Sequence, residues 1–172
     1  MEEGIHSKFM FHNGSHIYDI FDKDYHKHPH GFVILGPPGI GKTTFVHNQV
    51  GEKKNWIDAD TLLENLGVDW HQHENNSDEF KLNYLRADYI LEQSKLLGYR
   101  IIGSLFWEYS ADAVVIIPLE KHRGYVSQRS DLQIEKVYEM RNVFQEHAQK
   151  LNIPIFENIL EAVDYLENQK ID

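Results

Sequence analysis

A chain of 172 residues has the length of one domain, and its 41% hydrophobic and 12% aromatic content is enough for a single sizeable core. A formal charge of −10 disfavours extensive contact with DNA or RNA, whose phosphates require clustered Lys and Arg. The lack of cysteine excludes disulfides, thiolate metal sites and a cysteine nucleophile. No apolar run approaches the ~20 residues that cross a bilayer, and the polar start Met1–His6 is unlike a secretory signal, so a cytoplasmic protein with no membrane partner is expected.

In chain order, Lys8–His12 and Ser15–Ile20 flank Asn13-Gly14, a two-residue hairpin signal. Residues 1–30 are therefore expected to form a β-hairpin extension, bracing the sheet edge or overhanging the site. The core domain follows over 31–172. Phe32–Leu35, Trp56–Ile57, Arg100–Ile102, Ala113–Ile117 and Ile153–Phe156 have the composition of short buried strands.

Helical segments lie between them. Lys42–Val50 ends at Gly51, a residue suited to a C-terminal cap. Asp78–Leu97 has Ser77 as N-cap and stops at Gly98. Val137, Met140, Phe144, Ala148 and Leu151 recur at helical spacing, and Asn158 with Glu161 has the spacing of a capping box. Strands alternating with helices give an α/β fold, a parallel sheet covered on both faces with its ligand at the carboxyl ends of the strands.

The chemistry starts at Gly36-Pro37-Pro38-Gly39-Ile40-Gly41-Lys42-Thr43, a full match to G-x-x-x-x-G-K-[ST] between an apolar strand and a helix. Glycines there let successive N–H groups face an anion, and the helix that follows adds about half a positive charge at its N-terminus. Lys42 is expected to reach the β- and γ-phosphates of ATP and the Thr43 hydroxyl to ligate Mg²⁺, with Thr44 completing the nucleotide-binding set. Neither Arg100–Ile102 nor Val114–Ile117 ends in the acid of a Walker-B strand, and no Asn-Lys-x-Asp guanine-reading motif occurs. A GTPase switch or an AAA-type motor is therefore disfavoured. Acid stands instead at the end of the second strand, where Asp58 and Asp60 follow Lys42 by 16 and 18 residues. On an extended chain those two side chains share a side.

The glycine loop and this Asp-x-Asp resemble the small P-loop kinases of the shikimate, gluconate and adenylylsulfate type, from about Phe32 to the C-terminus. The resemblance implies a three-layer sandwich of P-loop kinase type, with a five-stranded parallel sheet in the order 2-3-1-4-5. It implies that Asp58 holds magnesium through water and that Asp60 hydrogen-bonds the acceptor hydroxyl and takes or orients its proton. It places an acceptor-binding region at 62–99 and a lid at 119–131. Arg123 and Arg129 become the arginines that close over the γ-phosphate, and Lys81, Arg86, Ser104, Phe106 and Trp107 the acceptor contacts. The triple glycine of shikimate kinases is absent at Gly103-Ser104, and the Arg-rich spacing of the family's lid is not reproduced.

The functional expectation is an ATP- and Mg²⁺-dependent kinase with a small acceptor, a nucleoside or nucleotide being favoured by the aromatic residues available for stacking. A kinase of nucleic acid, acting on a 5′-hydroxyl or a hydroxymethylated pyrimidine, is the second reading. A nucleotide-binding regulatory module or slow NTPase is the third. His26, His28, His30, His71 and His73 lack the cysteine or carboxylate framework of a metal site and are expected at the surface.

Overall fold

Every residue of Phe32–Leu35 is apolar, and a strand of that kind needs cover on both faces. The computed structural model, which describes residues 17–65, 77–104 and 111–169, supplies it. The described elements are α1 (Ile17–Asp24), β1 (Phe32–Leu35), α2 (Lys42–His47), β2 (Trp56–Asp58), α3 (Ala59–Asn65), α4 (Ser77–Leu96), β3 (Arg100–Gly103), β4 (Ala113–Val115), α5 (Leu119–Ser127), α6 (Ile134–Leu151), β5 (Ile155–Phe156) and α7 (Ile159–Glu167). The five strands form one sheet in the order β2-β3-β1-β4-β5, all pairs parallel, as the sequence led us to expect.

Alternation along the strands divides the core. Val33, Leu35, Ile57, Ile101 and Val114 face one side with Phe21, Leu62, Leu91 and Phe144, so α1, α3, α4 and α6 cover that face. Phe32, Ile34, Trp56, Ile102 and Val115 face the other with Val46, Ile159 and Leu166, which belong to α2 and α7. The connection leaving β1 runs toward one edge of the sheet, and β4 lies on the other side of β1. Right-handed crossovers then put their helices on opposite faces and open a crevice beside the carboxyl end of β1.

Local chemistry sets the helix ends. Gly98 has φ +95°, and the bonds Gly98 N–H to Lys95 O (2.9 Å) and Tyr99 N–H to Ser94 O (3.0 Å) form a Schellman cap on α4. Asn152, at φ 55°, closes α6 in the same way. Asn158 Oδ1 accepts from Glu161 N–H at 2.9 Å and starts α7, as its spacing indicated. The amino end of β1 is held by a side chain: Asp112 Oδ2 accepts the Val33 N–H at 2.8 Å while its Oδ1 pairs with Lys95 at 2.7 Å.

Three expectations are corrected. The chain is helical from Ile17, so the hairpin arm expected at Ser15–Ile20 does not exist over Ile17–Ile20; Lys8–His12 lies outside the described residues. Ile17, Ile20 and Phe21 have the i, i+3, i+4 spacing of a helix, and that medium-range pattern overrides the local turn signal of Asn13-Gly14. The helix after the glycine loop stops at His47 and is capped by Asn48, while Gly51 sits in the turn beyond it. His28 is half-buried rather than a surface group, and burial pushes its imidazole below the usual range.

Candidate active site at the carboxyl end of β1

The loop between β1 and α2 contains Gly36–Gly41, and Lys42 and Thr43 of the motif open α2. Gly39 and Gly41 have φ of +81° and +96°, the left-handed region that L side chains rarely adopt, and Gly41 is the N-cap of α2. Ile40 is buried under the loop in the α2–α7 core, which fixes the loop to the sheet. Thr43 and Thr44 are exposed in the first turn of α2. Lys42 opens that helix and turns back over the loop, donating to Pro37 O at 2.7 Å and Gly36 O at 3.2 Å.

β2 brings the two aspartates to the same end of the sheet, by a route that differs from the expected one. Asp58 ends β2, but α3 starts at Ala59, so Asp60 lies on a helical turn and not on extended chain. The link between them is a cap: Asp58 Oδ1 accepts the Asp60 N–H at 2.9 Å. Both carboxylates nevertheless act on Lys42. Burial pushes the Lys42 amine down to about 7, opposed by Asp60 and Asp58 and reinforced by Arg129. Asp60 keeps an open surface, yet its neighbours strip enough water to push its carboxyl above the usual range. Asp58 and Glu64 act in the same direction and Lys42 against them.

The turn after β3 closes against this pair. A Cβ at Gly103 would lie 2.4 Å from Ala59 Cβ, so only glycine lets β3 approach the residue between the aspartates. Ser104 follows, half-buried. Lys81 and Arg86 lie on the backbone of α4, and their side chains fall outside what the structure describes, as do Phe106 and Trp107 altogether.

The two arginines expected in a lid differ from each other. Arg123, on α5, faces α6, where its Nε donates to Tyr138 Oη at 3.1 Å and its guanidinium lies 6.0 Å from the Tyr138 ring centroid. Arg129, just past α5, makes a two-pronged pair with Asp131 at 2.6 and 3.1 Å, and its charge is felt at Lys42. Of the two candidates, Arg129 is the one electrostatically joined to the loop.

Sequence reasoning missed the contact between α5 and the loop. Val126 and His122, four apart on α5, are both buried. His122 Nε2 lies 2.8 Å from Pro38 O, and its Nδ1 lies 3.2 Å from Arg141 Nη1 of α6. The i, i+4 phase of His122 with Val126 was the signal available, hidden in a run of charged residues that reads as solvated. A Cβ on Gly39 would meet Val126 Cγ2 at 2.8 Å, with His122 Nε2 and Leu132 Cδ1 at 3.6 Å. Gly39→Ala is therefore expected to lower stability by at least about 1–2 kcal/mol, the cost of a left-handed L residue before any clash. Chemical denaturation checks this, and an unchanged midpoint contradicts it.

No protein-family description and no curated protein matches this sequence.

Proposed function

We propose that the protein is an ATP- and magnesium-dependent phosphotransferase of the P-loop kinase type, moving a γ-phosphate to a small acceptor, with a nucleoside or nucleotide favoured. The observation that carries this reading is electrostatic. Lys42, at the head of the helix behind a glycine loop, shares its field with Asp58 at the end of β2, with Asp60 in the first turn of α3, and with Arg129.

Phosphoryl transfer needs alignment and charge neutralisation more than covalent help. In this reading the loop N–H groups and Lys42 hold the β- and γ-phosphates. Asp60 accepts the proton of the acceptor hydroxyl as its oxygen bonds to the γ-phosphorus and the bridge to ADP breaks. Its raised proton affinity makes it a better base than a fully hydrated aspartate. In this reading Arg129, once it leaves Asp131, meets charge on the transferring group.

The donors near the loop are oxygens, the kind that suit a hard divalent cation: the exposed Thr43 hydroxyl and the half-buried Asp58 carboxylate. Thr43 would hold magnesium directly and Asp58 through water, with its Oδ1 occupied by the cap to Asp60. Magnesium supplies neutralisation of charge on the β- and γ-oxygens. Among the described residues no helix is long and apolar enough to cross a membrane, in keeping with a dissolved small acceptor.

The test is transfer of labelled γ-phosphate from ATP, with Mg²⁺, to panels of nucleosides, nucleotides, polyols and modified DNA. Label on a small acceptor supports the reading. Label on polymer alone replaces it with a nucleic-acid kinase. Label on none of them, in a protein that demonstrably binds ATP, replaces it with a nucleotide-binding module.

A further inference from the structure

The strongest unassigned feature is the buried polar chain that runs from the glycine loop through α5 to α6. His122 has no exposed surface, and both of its ring nitrogens have partners. Those partners decide its tautomer. Arginine can only donate, so Nδ1 is the acceptor facing Arg141 Nη1 at 3.2 Å. A carbonyl can only accept, so Nε2 has the proton and donates to Pro38 O at 2.8 Å. Arg141 is fixed in turn by a second bond from Nη1 to Ile117 O, two residues past β4.

Burial, and then Arg141 and Lys42, disfavour a second proton on the ring, against the pull of the Pro38 carbonyl. The ring is therefore kept neutral with one defined donor.

This chain has a consequence for the loop. A trans peptide is planar, with its C=O and N–H on opposite sides. Holding the Pro38 carbonyl toward α5 turns the Gly39 N–H away from α5. An N–H so placed can serve as one member of an anion-binding nest. Gly39 itself is packed against Val126, so α5 fixes the peptide both by its carbonyl and by its Cα.

We infer that His122, oriented by Arg141, is a positioning residue that presets the Pro38–Gly39 peptide of the loop for phosphate and so couples the lid helix to nucleotide binding. The inference rests on the reading of Gly36–Thr43 as a phosphate-binding loop, and it does not depend on the acceptor or on transfer. It also gives α5 a role separate from the arginines: the lid holds the loop in shape before any phosphate arrives.

The experiment separates the two bonds of the ring. Gln at 122 places an N–H donor near the position of Nε2 and keeps the Pro38 bond, whereas Asn reaches only the Nδ1 position and loses it. ATP affinity of the wild-type protein, H122Q and H122N is measured by calorimetry well below each melting temperature. Loss of one such hydrogen bond is expected to weaken ATP binding by about tenfold in H122N, with H122Q staying within about threefold of wild type.

Equal affinity in the two variants, whether unchanged or weakened alike, overturns the inference, because only one of them keeps the donor to Pro38 O. Arg141→Gln provides a second arm if either variant fails to fold. Removing the guanidinium frees the ring to take the other tautomer, and about threefold or greater weakening is expected, so an unchanged affinity counts against the inference. A folded wild-type protein that binds no ATP fails at the loop reading itself, which is distinguishable from a wild type that binds and variants that bind as well.

Discussion

Replacing Lys42 by methionine is expected to weaken ATP binding by about a hundredfold or more and to abolish measurable transfer. Methionine keeps the length of the side chain and loses its donors, and two charge-assisted hydrogen bonds to phosphate oxygens are together worth about 3–6 kcal/mol. The same change strips the partner from the buried Gly36 and Pro37 carbonyls, so some loss of stability accompanies it and affinity must be measured below the variant's melting temperature.

The proton affinity of Lys42 adds a second measurable sign. Its amine is pushed down to about 7, so at pH 8 it is mostly neutral in the free protein. A triphosphate favours the charged form, so binding takes up a proton there, and affinity falls as pH rises above 7, approaching about tenfold per unit. Calorimetry in two buffers of different ionisation enthalpy reads that uptake directly. Binding without proton uptake at pH 8 in the wild-type protein would falsify this account of Lys42.

The second large effect is at Asp60. Asp60→Asn preserves shape and removes the base, and kcat is expected to fall by about 10²–10⁴ with ATP affinity held within about twofold. In the wild-type protein the acid limb of the pH–rate profile belongs to this carboxyl. Because its proton affinity is raised, activity is lost at a higher pH than a hydrated aspartate would set, as pH falls through the raised value and the base is protonated. Asn at 60 removes that limb. A variant that loses mainly ATP affinity instead assigns Asp60 to the donor side, with Asp58.

The sequence was legible where physics acts over short range. The glycine loop, the Asn158 cap, the Gly98 stop and the five apolar runs are patterns of a few residues, and each stands where its spacing put it. Strand bounds were less exact: Ala113–Ile117 and Ile153–Phe156 read as longer runs than β4 (Ala113–Val115) and β5 (Ile155–Phe156), whereas β2 and β3 each extend one residue past the apolar run, to Asp58 and Gly103. Asp60 was placed by extended-chain geometry, whereas the helix begins one residue earlier.

What was not legible is what depends on two distant segments meeting. In Lys121-His122-Arg123 only the phase of His122 with Val126 marks which of the three is buried. That is decided by Pro38 and Arg141, 84 and 19 residues away. The two arginines of the expected lid separate through Tyr138, 15 residues from Arg123, and through Asp131, two residues from Arg129.

The sheet order has a bearing on how the chain is made. β1 and β2 never touch, since each pairs with β3, and β3 begins at Arg100. As the polypeptide emerges from its N-terminus, the strand that bears the glycine loop has no ladder partner until the second half of the chain appears. The loop's own anchor, Gly36 N–H to Gly103 O at 3.0 Å, comes with that third strand, and its support from His122 comes later still. A partly synthesised chain therefore displays the motif without the bonds that hold its loop in shape. If the loop binds phosphate as proposed, nucleotide capture would be a property that only the folded chain has.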